Sequence, residues 1–151
     1  MSDHWIALIP EDPRFLPDET SQQAAVDRFA ELAPEAEEID VLASDGIQFF
    51  DCGQNFERML CPSCAAELDP DWWQEQMDRD FVDGGFQLGE LQLPCCGAVT
   101  TLNGLRYDWP QGFARFAIDA MNPNIGKLSD SQIEEFQTIL KTPLRVIYQH
   151  I

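Results

Sequence analysis

The chain has 151 residues, 44% of them hydrophobic, which is enough for one domain with a core of its own. Its 27 acidic residues outnumber the 9 basic residues and give a formal net charge of -18 at pH 7. A surface this acidic repels phosphate backbones, so we expect no direct binding to nucleic acid. The charge favours a well-solvated surface or the steering of a basic protein partner.

The expected location is the cytoplasm. No apolar run approaches the roughly 20 residues that cross a bilayer, so we expect no membrane-spanning helix. The N-terminal region does not have the pattern of a signal peptide, because Asp3 and His4 stand where basic residues are expected and Pro10 interrupts the apolar run. Five cysteines in such a chain favour metal binding or thiol chemistry over a disulfide framework.

The first quarter of the chain predicts a strand followed by a helix. Residues 5–9 form a nearly continuous apolar run, which is typical of a strand buried on both faces. Thr20 and Gln23 have the spacing of a capping box. They begin a predicted helix that ends before Pro34.

Next come two short predicted strands, residues 39–43 and 47–51. Ser44-Asp45-Gly46 lies between them and has the composition of a hairpin turn. This part of the chain therefore predicts the order β-α-β-β.

The last 40 residues predict the order β-α-β. Apolar residues alternate over 114–120, which is the period of a strand. Ser129 and Gln132 form a second capping box before an apolar helical stripe. Residues 144–151 predict a final strand.

Two β-α-β halves in one compact domain predict an α+β fold of the split βαβ, ferredoxin-like kind. The right-handed crossover rule would place both helices on one face of the sheet. The predicted domain consists of residues 1–51 and 111–151. Residues 52–110 are predicted to be an inserted module that has its own means of stabilisation.

Four cysteines within that module have the pattern of metal ligands. Cys61 and Cys64 are separated by two residues, and Cys95 and Cys96 precede a glycine that suits a tight turn. Residues 56–60, before the first pair, predict a strand. A cysteine pair on each of two facing turns is typical of zinc ribbons, so we predict one structural Zn²⁺ held by Cys61, Cys64, Cys95 and Cys96.

The adjacency of Cys95 and Cys96 departs from the usual spacing, since adjacent side chains tend to diverge. Cys52 is therefore the reserve ligand, and a set of buried free cysteines is the alternative without a metal. The two histidines, His4 and His150, lie near the chain ends and are interpreted as surface or strand residues.

Between the two cysteine pairs, Asp69 and Pro70 predict the start of a helix, because aspartate caps a helix well and proline suits its first position. The apolar face of this helix is predicted to consist of Trp73, Met77 and Phe81. Trp72 and Trp73 are interpreted as a lid packed on the zinc module, and Trp109 is interpreted in the same way.

Redox chemistry is the main rival interpretation. A strand that leads into Cys61-Pro62-Ser63-Cys64 is similar to a glutaredoxin-type active site, with Pro94 in the place of a neighbouring cis-proline. Asp69-Pro70 follows too soon to allow the long helix that this chemistry needs. Signatures of other enzymes are missing, and Gly126-Lys127 lacks the rest of a phosphate-binding loop.

Most of the chain resembles a family of small acidic bacterial proteins of about this length. The segments that carry the resemblance are HWIALIPEDPRF, FFDCGQNFERMLCPSC, LPCCG, WPQGFARFAIDAMNPNIG and TPLRVIYQHI. Members sometimes carry the label of a sugar-transporter ATPase, which does not fit a chain without a phosphate-binding loop. The resemblance implies a bacterial cytoplasmic setting and metal-type cysteines, and it implies no activity.

Several polar and turn residues within those segments are candidates for a recognition surface between the module and the α+β domain, or else are turn and capping residues: Asn55, Glu57, Trp109, Gln111 and residues 122–126. Taken together, the sequence predicts a zinc-binding, non-enzymatic binding or adaptor protein with a protein partner, which would be basic if charge steers it. The alternatives are a thiol-disulfide oxidoreductase using Cys61 and Cys64, and an acidic inhibitor or immunity-type protein.

Overall fold

The computed structural model describes residues 2–151. Over that range the molecule is a mixed α+β structure with three α-helices and a six-stranded antiparallel sheet. The helices are α1 (Glu19–Leu32), α2 (Pro70–Asp80) and α3 (Asp130–Leu140). The strands are β1 (His4–Pro10), β2 (Glu38–Phe50), β3 (Met59–Leu60), β4 (Phe81–Val82), β5 (Gly85–Phe86), β6 (Leu91–Gln92), β7 (Val99–Thr100), β8 (Arg106–Tyr107), β9 (Gly112–Met121) and β10 (Leu144–His150). Among these helices none is long and apolar enough to cross a membrane.

The strand order in the large sheet is β10-β1-β9-β2-β5-β4. Strand β1 pairs with β10 on one side and with β9 on the other, and β9 pairs in turn with β2. Helices α1 and α3 both pack on one face, where the rings of Phe29 and Phe136 lie 5.3 Å apart. The predicted strand over residues 5–9 is confirmed, and its residues 6–9 are all buried.

The helix starts follow the capping chemistry of the chain in two of three cases. Ser129 and Gln132 form the predicted capping box at α3, and Asp69 caps α2, which begins at Pro70. The predicted box at Thr20 is wrong. Helix α1 begins two residues earlier than a cap at Thr20 implies, because the Asp18 carboxylate accepts hydrogen bonds from both the backbone N–H and the hydroxyl of Ser21, at 2.8 and 3.0 Å.

The predicted hairpin at Gly46 is also wrong, since β2 is a single strand that runs through it with an irregularity between Ala43 and Gln48. Gly46 serves a different purpose there. A Cβ at this position would lie 2.7 Å from the Gly84 carbonyl oxygen, so its lack of a side chain lets the β4–β5 hairpin approach β2 closely.

Residues 52–110 supply most of a second apolar cluster, among them Met59, Leu93 and Leu102, and Phe113 joins it from β9. The same segment forms two small sheets, β3–β8 and β6–β7. Of the predicted strand over 56–60, only β3 forms. Phe81 lies beyond α2, in β4, and is 44% exposed, so its predicted place on the helical face is wrong. The division of the chain into an α+β domain and an inserted module stays a prediction; β4 and β5 belong to the middle segment and extend the large sheet.

The middle segment also meets the opposite edge of the sheet. The backbone N–H of Gln54 donates to the carbonyl of His150 at 2.7 Å, and the N–H of His150 donates to Cys52 at 3.3 Å. The Asn55 amide donates to the Tyr148 carbonyl at 3.0 Å. At the other end of β10, the Leu144 N–H donates to the side chain of Gln137 at 3.0 Å.

Candidate functional site

The two cysteine-bearing turns, which we call the knuckles, have the same backbone hydrogen bonds. In the first knuckle, residues 61–66, the Cys61 N–H donates to the Ala66 carbonyl at 2.8 Å and the Ala65 N–H donates to the Cys61 carbonyl at 3.0 Å. In the second, residues 93–98, the corresponding bonds join Leu93 to Ala98 and Gly97 to Leu93, at 2.8 and 2.9 Å.

Each knuckle turns on a residue in the left-handed region. Ala65 has φ 62° and Gly97 has φ 77°. Cys64 and Cys96 precede these residues and occupy equivalent positions. The first knuckle closes over β3, while the second closes the β6–β7 hairpin. Two turns of one geometry therefore face each other from separate small sheets.

The four sulfur atoms of the knuckles all lie within 4.8 Å of one another. The Sγ atoms of Cys61 and Cys96 are 3.7 Å apart, and those of Cys64 and Cys95 are 3.5 Å apart, so each close pair joins the two knuckles. These separations are far longer than a disulfide bond, and all five cysteines are free. The adjacent Cys95 and Cys96 both reach the cluster.

The cluster fits a metal ion. A tetrahedral ion with bonds of about 2.3 Å to sulfur has ligand atoms about 3.8 Å apart, which is close to the separations seen here. Cys61 is buried, whereas Cys64, Cys95 and Cys96 are exposed. One ligand is thus anchored in the apolar cluster, while the other three close the site from outside. The four cysteines could hold a metal ion with no further ligand.

The electrostatic environment differs between the two knuckles. The backbone N–H groups of Cys64 and Ser63 donate to the Cys61 sulfur, at 3.4 and 3.3 Å. These bonds lower the pKa of Cys61 to about 6, against the opposing effect of its burial. Desolvation, followed by hydrogen bonding to Cys64, raises the pKa of Cys95 to about 12. The first knuckle is therefore already suited to a thiolate.

Cys52, the reserve ligand of the sequence prediction, lies in a different apolar cluster, against the large sheet. It is fully buried, its sulfur lies 3.4 Å from the Gln111 side-chain oxygen, and desolvation raises its pKa to about 11. The group of four sulfurs is complete without it. His4 and His150 lie in β1 and β10, where their rings stack at 4.4 Å.

The two tryptophans of α2 lie where the lid was predicted. Trp72 and Trp73 are partly buried against the apolar cluster that contains Cys61. The Trp73 indole N–H donates to the Tyr107 hydroxyl at 3.2 Å, and that hydroxyl donates to the Leu102 carbonyl at 2.7 Å.

No peptide bond among residues 2–151 is cis, so Pro94 does not supply the cis-proline of the redox interpretation.

A second feature is a cavity of about 700 Å³, which we call the aromatic pocket. Among its lining residues are several of the predicted recognition set: Asn55, Trp109, Asn122, Pro123, Asn124 and Gly126. Glu57 and Gln111 do not line it; Glu57 is exposed elsewhere and Gln111 is buried beside Cys52.

Sequence reasoning missed other lining residues of the aromatic pocket: Trp5, Glu35, Glu37, Lys127 and Tyr148. They come from β1, β10 and the two loops that precede β2 and α3. No short motif links positions so far apart in the chain. The only signal was the concentration of aromatic and amide side chains in the resembling segments.

Comparison with known proteins adds no relative. No protein-family model matches the chain, and neither a curated protein nor a solved structure matches it.

Proposed function

We propose that this chain is a zinc-binding protein in which one structural ion joins the two knuckles, and that it acts as a non-enzymatic binding module for a basic protein partner. The observation that carries the proposal is the group of four cysteine sulfurs within 4.8 Å. Four thiolates in a tetrahedral arrangement favour zinc over harder cations, and they fill its coordination sphere. A filled sphere favours a structural role over a catalytic one.

Zinc would contribute folding free energy to a segment that has little regular structure. A structural zinc contributes about 10–16 kcal/mol in small zinc-binding peptides. Six strands of the middle segment have only two residues each, so hydrogen bonding within its sheets is sparse. The ion would hold β3 and the β6–β7 hairpin together.

The partner is inferred from charge. The formal net charge is -18, and four thiolates around a divalent ion would make it about two units more negative. Such a field speeds association with a positively charged protein. An acidic inhibitor or immunity-type protein is the sharper form of this proposal.

A thiol-disulfide oxidoreductase is the second candidate, and the lowered pKa of Cys61 favours it. Burial counts against it, because Cys61 has no exposed surface and a nucleophilic thiolate has to be reached. Elemental analysis of the purified protein for zinc separates the two candidates.

For the architecture we propose a ferredoxin-like, split βαβ domain that carries a zinc-ribbon-like insertion over residues 52–110. The order β10-β1-β9-β2, with α1 and α3 on one face, supports the first part. The paired knuckles support the second. The resemblance to the family of small acidic bacterial proteins supports a cytoplasmic setting in a bacterium.

The zinc proposal is tested by elemental analysis of purified protein together with thiol titration. We expect about one zinc per chain and four thiols that react only after a chelator is added. Cys64→Ser should lose the metal, while Cys52→Ala, the matched control, should keep it. A metal-free protein with a readily alkylated Cys61 would contradict the proposal and favour the oxidoreductase.

The partner proposal is tested by capturing proteins from the native host at two salt concentrations. Because exposed charges are screened within about 8 Å at physiological ionic strength, a steered interaction should weaken as salt rises. A captured partner that is acidic, or whose binding is indifferent to salt, would contradict charge steering.

A further inference from the structure

The aromatic pocket is built where one end of the large sheet meets the inserted segment. Trp5 and Tyr148 come from adjacent strands, β1 and β10, while Trp109 comes from the end of the inserted segment. Three aromatic side chains thus line a cavity of about 700 Å³, which is within the size range of ligand-binding cavities.

The aromatic walls already hold a cation of the chain itself. The Lys127 ammonium lies 4.8 Å from the centre of the Trp109 ring and 5.8 Å from that of Tyr148. Both distances fall within the range of cation–π attraction. Lys127 is exposed, so its side chain is free to leave these rings for solvent.

Two carboxylates stand at the same pocket, each held by an asparagine amide. The Asn124 side chain donates to the Glu35 carboxylate at 2.8 Å, and the Asn122 side chain donates to Glu37. Each of these hydrogen bonds engages one oxygen of the carboxylate and leaves the other oxygen available to a ligand. The turn over residues 122–124 therefore orients two negative groups beside the aromatic walls.

The backbone around the pocket is strained. Asn122 and Asn124 have φ 47° and 56°, and Trp109 has φ 58°. Asparagine tolerates the left-handed region, but a bulky residue such as tryptophan rarely adopts it. Strain of this kind tends to collect at binding sites, where the surrounding structure holds it.

We propose that the aromatic pocket receives an arginine side chain of the basic partner, which displaces the Lys127 ammonium. This inference rests on the proposed function, since it takes the partner to be basic. A planar guanidinium stacks on aromatic rings and donates to two carboxylates at once, which matches Trp109, Glu35 and Glu37 better than a lysine ammonium would. Arginine is also a frequent anchor residue in protein interfaces.

The test uses the full zinc-loaded chain and two peptides, acetyl-Gly-Arg-Arg-Gly-amide and its citrulline analogue, which keeps the shape and removes the charge. Binding is followed by calorimetry and by tryptophan fluorescence. We expect the arginine peptide to bind at least tenfold more tightly. Trp109→Ala and the pair Glu35→Gln with Glu37→Gln should each weaken it about tenfold.

Two further variants distinguish binding in the aromatic pocket from non-specific attraction to the acidic surface. Glu75→Gln with Glu134→Gln removes the same number of exposed charges elsewhere and should change the affinity less than twofold. Lys127→Ala removes the resident cation from an exposed position and should strengthen arginine binding several-fold. The Lys127 result is informative even where Trp109→Ala fails to fold.

Equal binding of the citrulline peptide, an equal loss in the control pair, or no gain with Lys127→Ala would overturn the proposal. Measurements of polylysine binding and zinc content on the same chain distinguish failure of the arginine pocket from failure of the proposed function. Zinc and salt-sensitive polylysine binding that persist without a preference for arginine overturn the pocket alone. Loss of binding to every cationic probe overturns the basic partner as well.

Discussion

Leu93 occupies in the second knuckle the position that Cys61 occupies in the first. Each residue donates its N–H to the alanine five residues on, and each accepts from the residue four places on. Both side chains are almost fully buried. In the second knuckle, Cys95 supplies the sulfur in place of Leu93, from the position that is Ser63 in the first. Adjacent cysteines therefore both reach the cluster.

This equivalence predicts a rescue. Cys95→Ser alone should lose the metal, because three sulfurs remain. Adding Leu93→Cys should restore it, since the new sulfur stands at the place of Cys61 and can accept from the backbone N–H groups of the turn. Zinc content and the temperature of unfolding measure both steps. A double variant as poor in zinc as the single one would show that the knuckles are not interchangeable.

Removal of the metal should unfold the middle segment before the large sheet. Stability is distributed in local units, and we expect the small sheets of residues 59–107 to depend on the proposed ion more than β1, β9 and β10 do. After treatment with a chelator we expect amide hydrogen exchange to speed up at β3, β6 and β7. Added zinc should reverse the change, and magnesium, as the control, should not. Equal acceleration throughout β9 would contradict local dependence on the metal.

Because of Asp119, we expect the protein to lose stability as the pH rises from about 4 to about 6. Burial, with Asp40 and Glu38 nearby, raises its pKa from 3.8 to about 6, and its Oδ1 atom is buried without a hydrogen-bond partner. The folded state then binds more protons than the unfolded state in this window, so the free energy of unfolding falls as pH rises. Asp119→Asn should remove that slope and add about 1–2 kcal/mol at pH 7, since the carboxylate is partly solvated.

Chemical unfolding at pH 4 and at pH 7 measures this effect. Asp83→Asn is the matched control, because Asp83 is exposed in a left-handed turn that asparagine tolerates. A variant at Asp119 that keeps the wild-type pH slope would assign the slope to other carboxylates.

Gly46→Ala should loosen the β4–β5 hairpin. Its new Cβ would lie 2.7 Å from the Gly84 carbonyl oxygen, so the backbones have to separate, at a cost of about 1–3 kcal/mol. Gly89→Ala places its Cβ 3.6 Å from a carboxylate oxygen and serves as the control. Thermal unfolding compares the two. Equal losses of thermal stability in the two variants would show that the close approach of the backbones at Gly46 is not the cause of the loss.

Local chemistry was predictable where one signal had no competitor. Ser129 with Gln132 gave the start of α3, and Asp69 gave that of α2. At α1 the Asp18 carboxylate outcompeted Thr20 for the cap. The hairpin predicted at Gly46 was wrong for a similar reason. Close backbone packing and tight turns both favour glycine, and only the tertiary structure distinguishes the two.

Of the two candidate sites, the sulfur cluster was predictable from spacing, since cysteine has few other uses in such a pattern. The aromatic pocket was not. Trp5, Glu35 and Tyr148 are ordinary residues of strands and loops, and only the order β10-β1-β9-β2 brings them together. Their chemistry depends on neighbours that are distant in the chain.

Strand β10 ends the large sheet, and an exposed edge of this kind invites other chains to add a strand and aggregate. Much of this edge is already engaged. Gln137 accepts from its first backbone N–H, Asn55 donates to the Tyr148 carbonyl, and Cys52 and Gln54 bond both backbone groups of His150. The cysteine-bearing middle segment therefore also shields an edge of the large sheet, so a variant in which this segment is misfolded should be prone to aggregation.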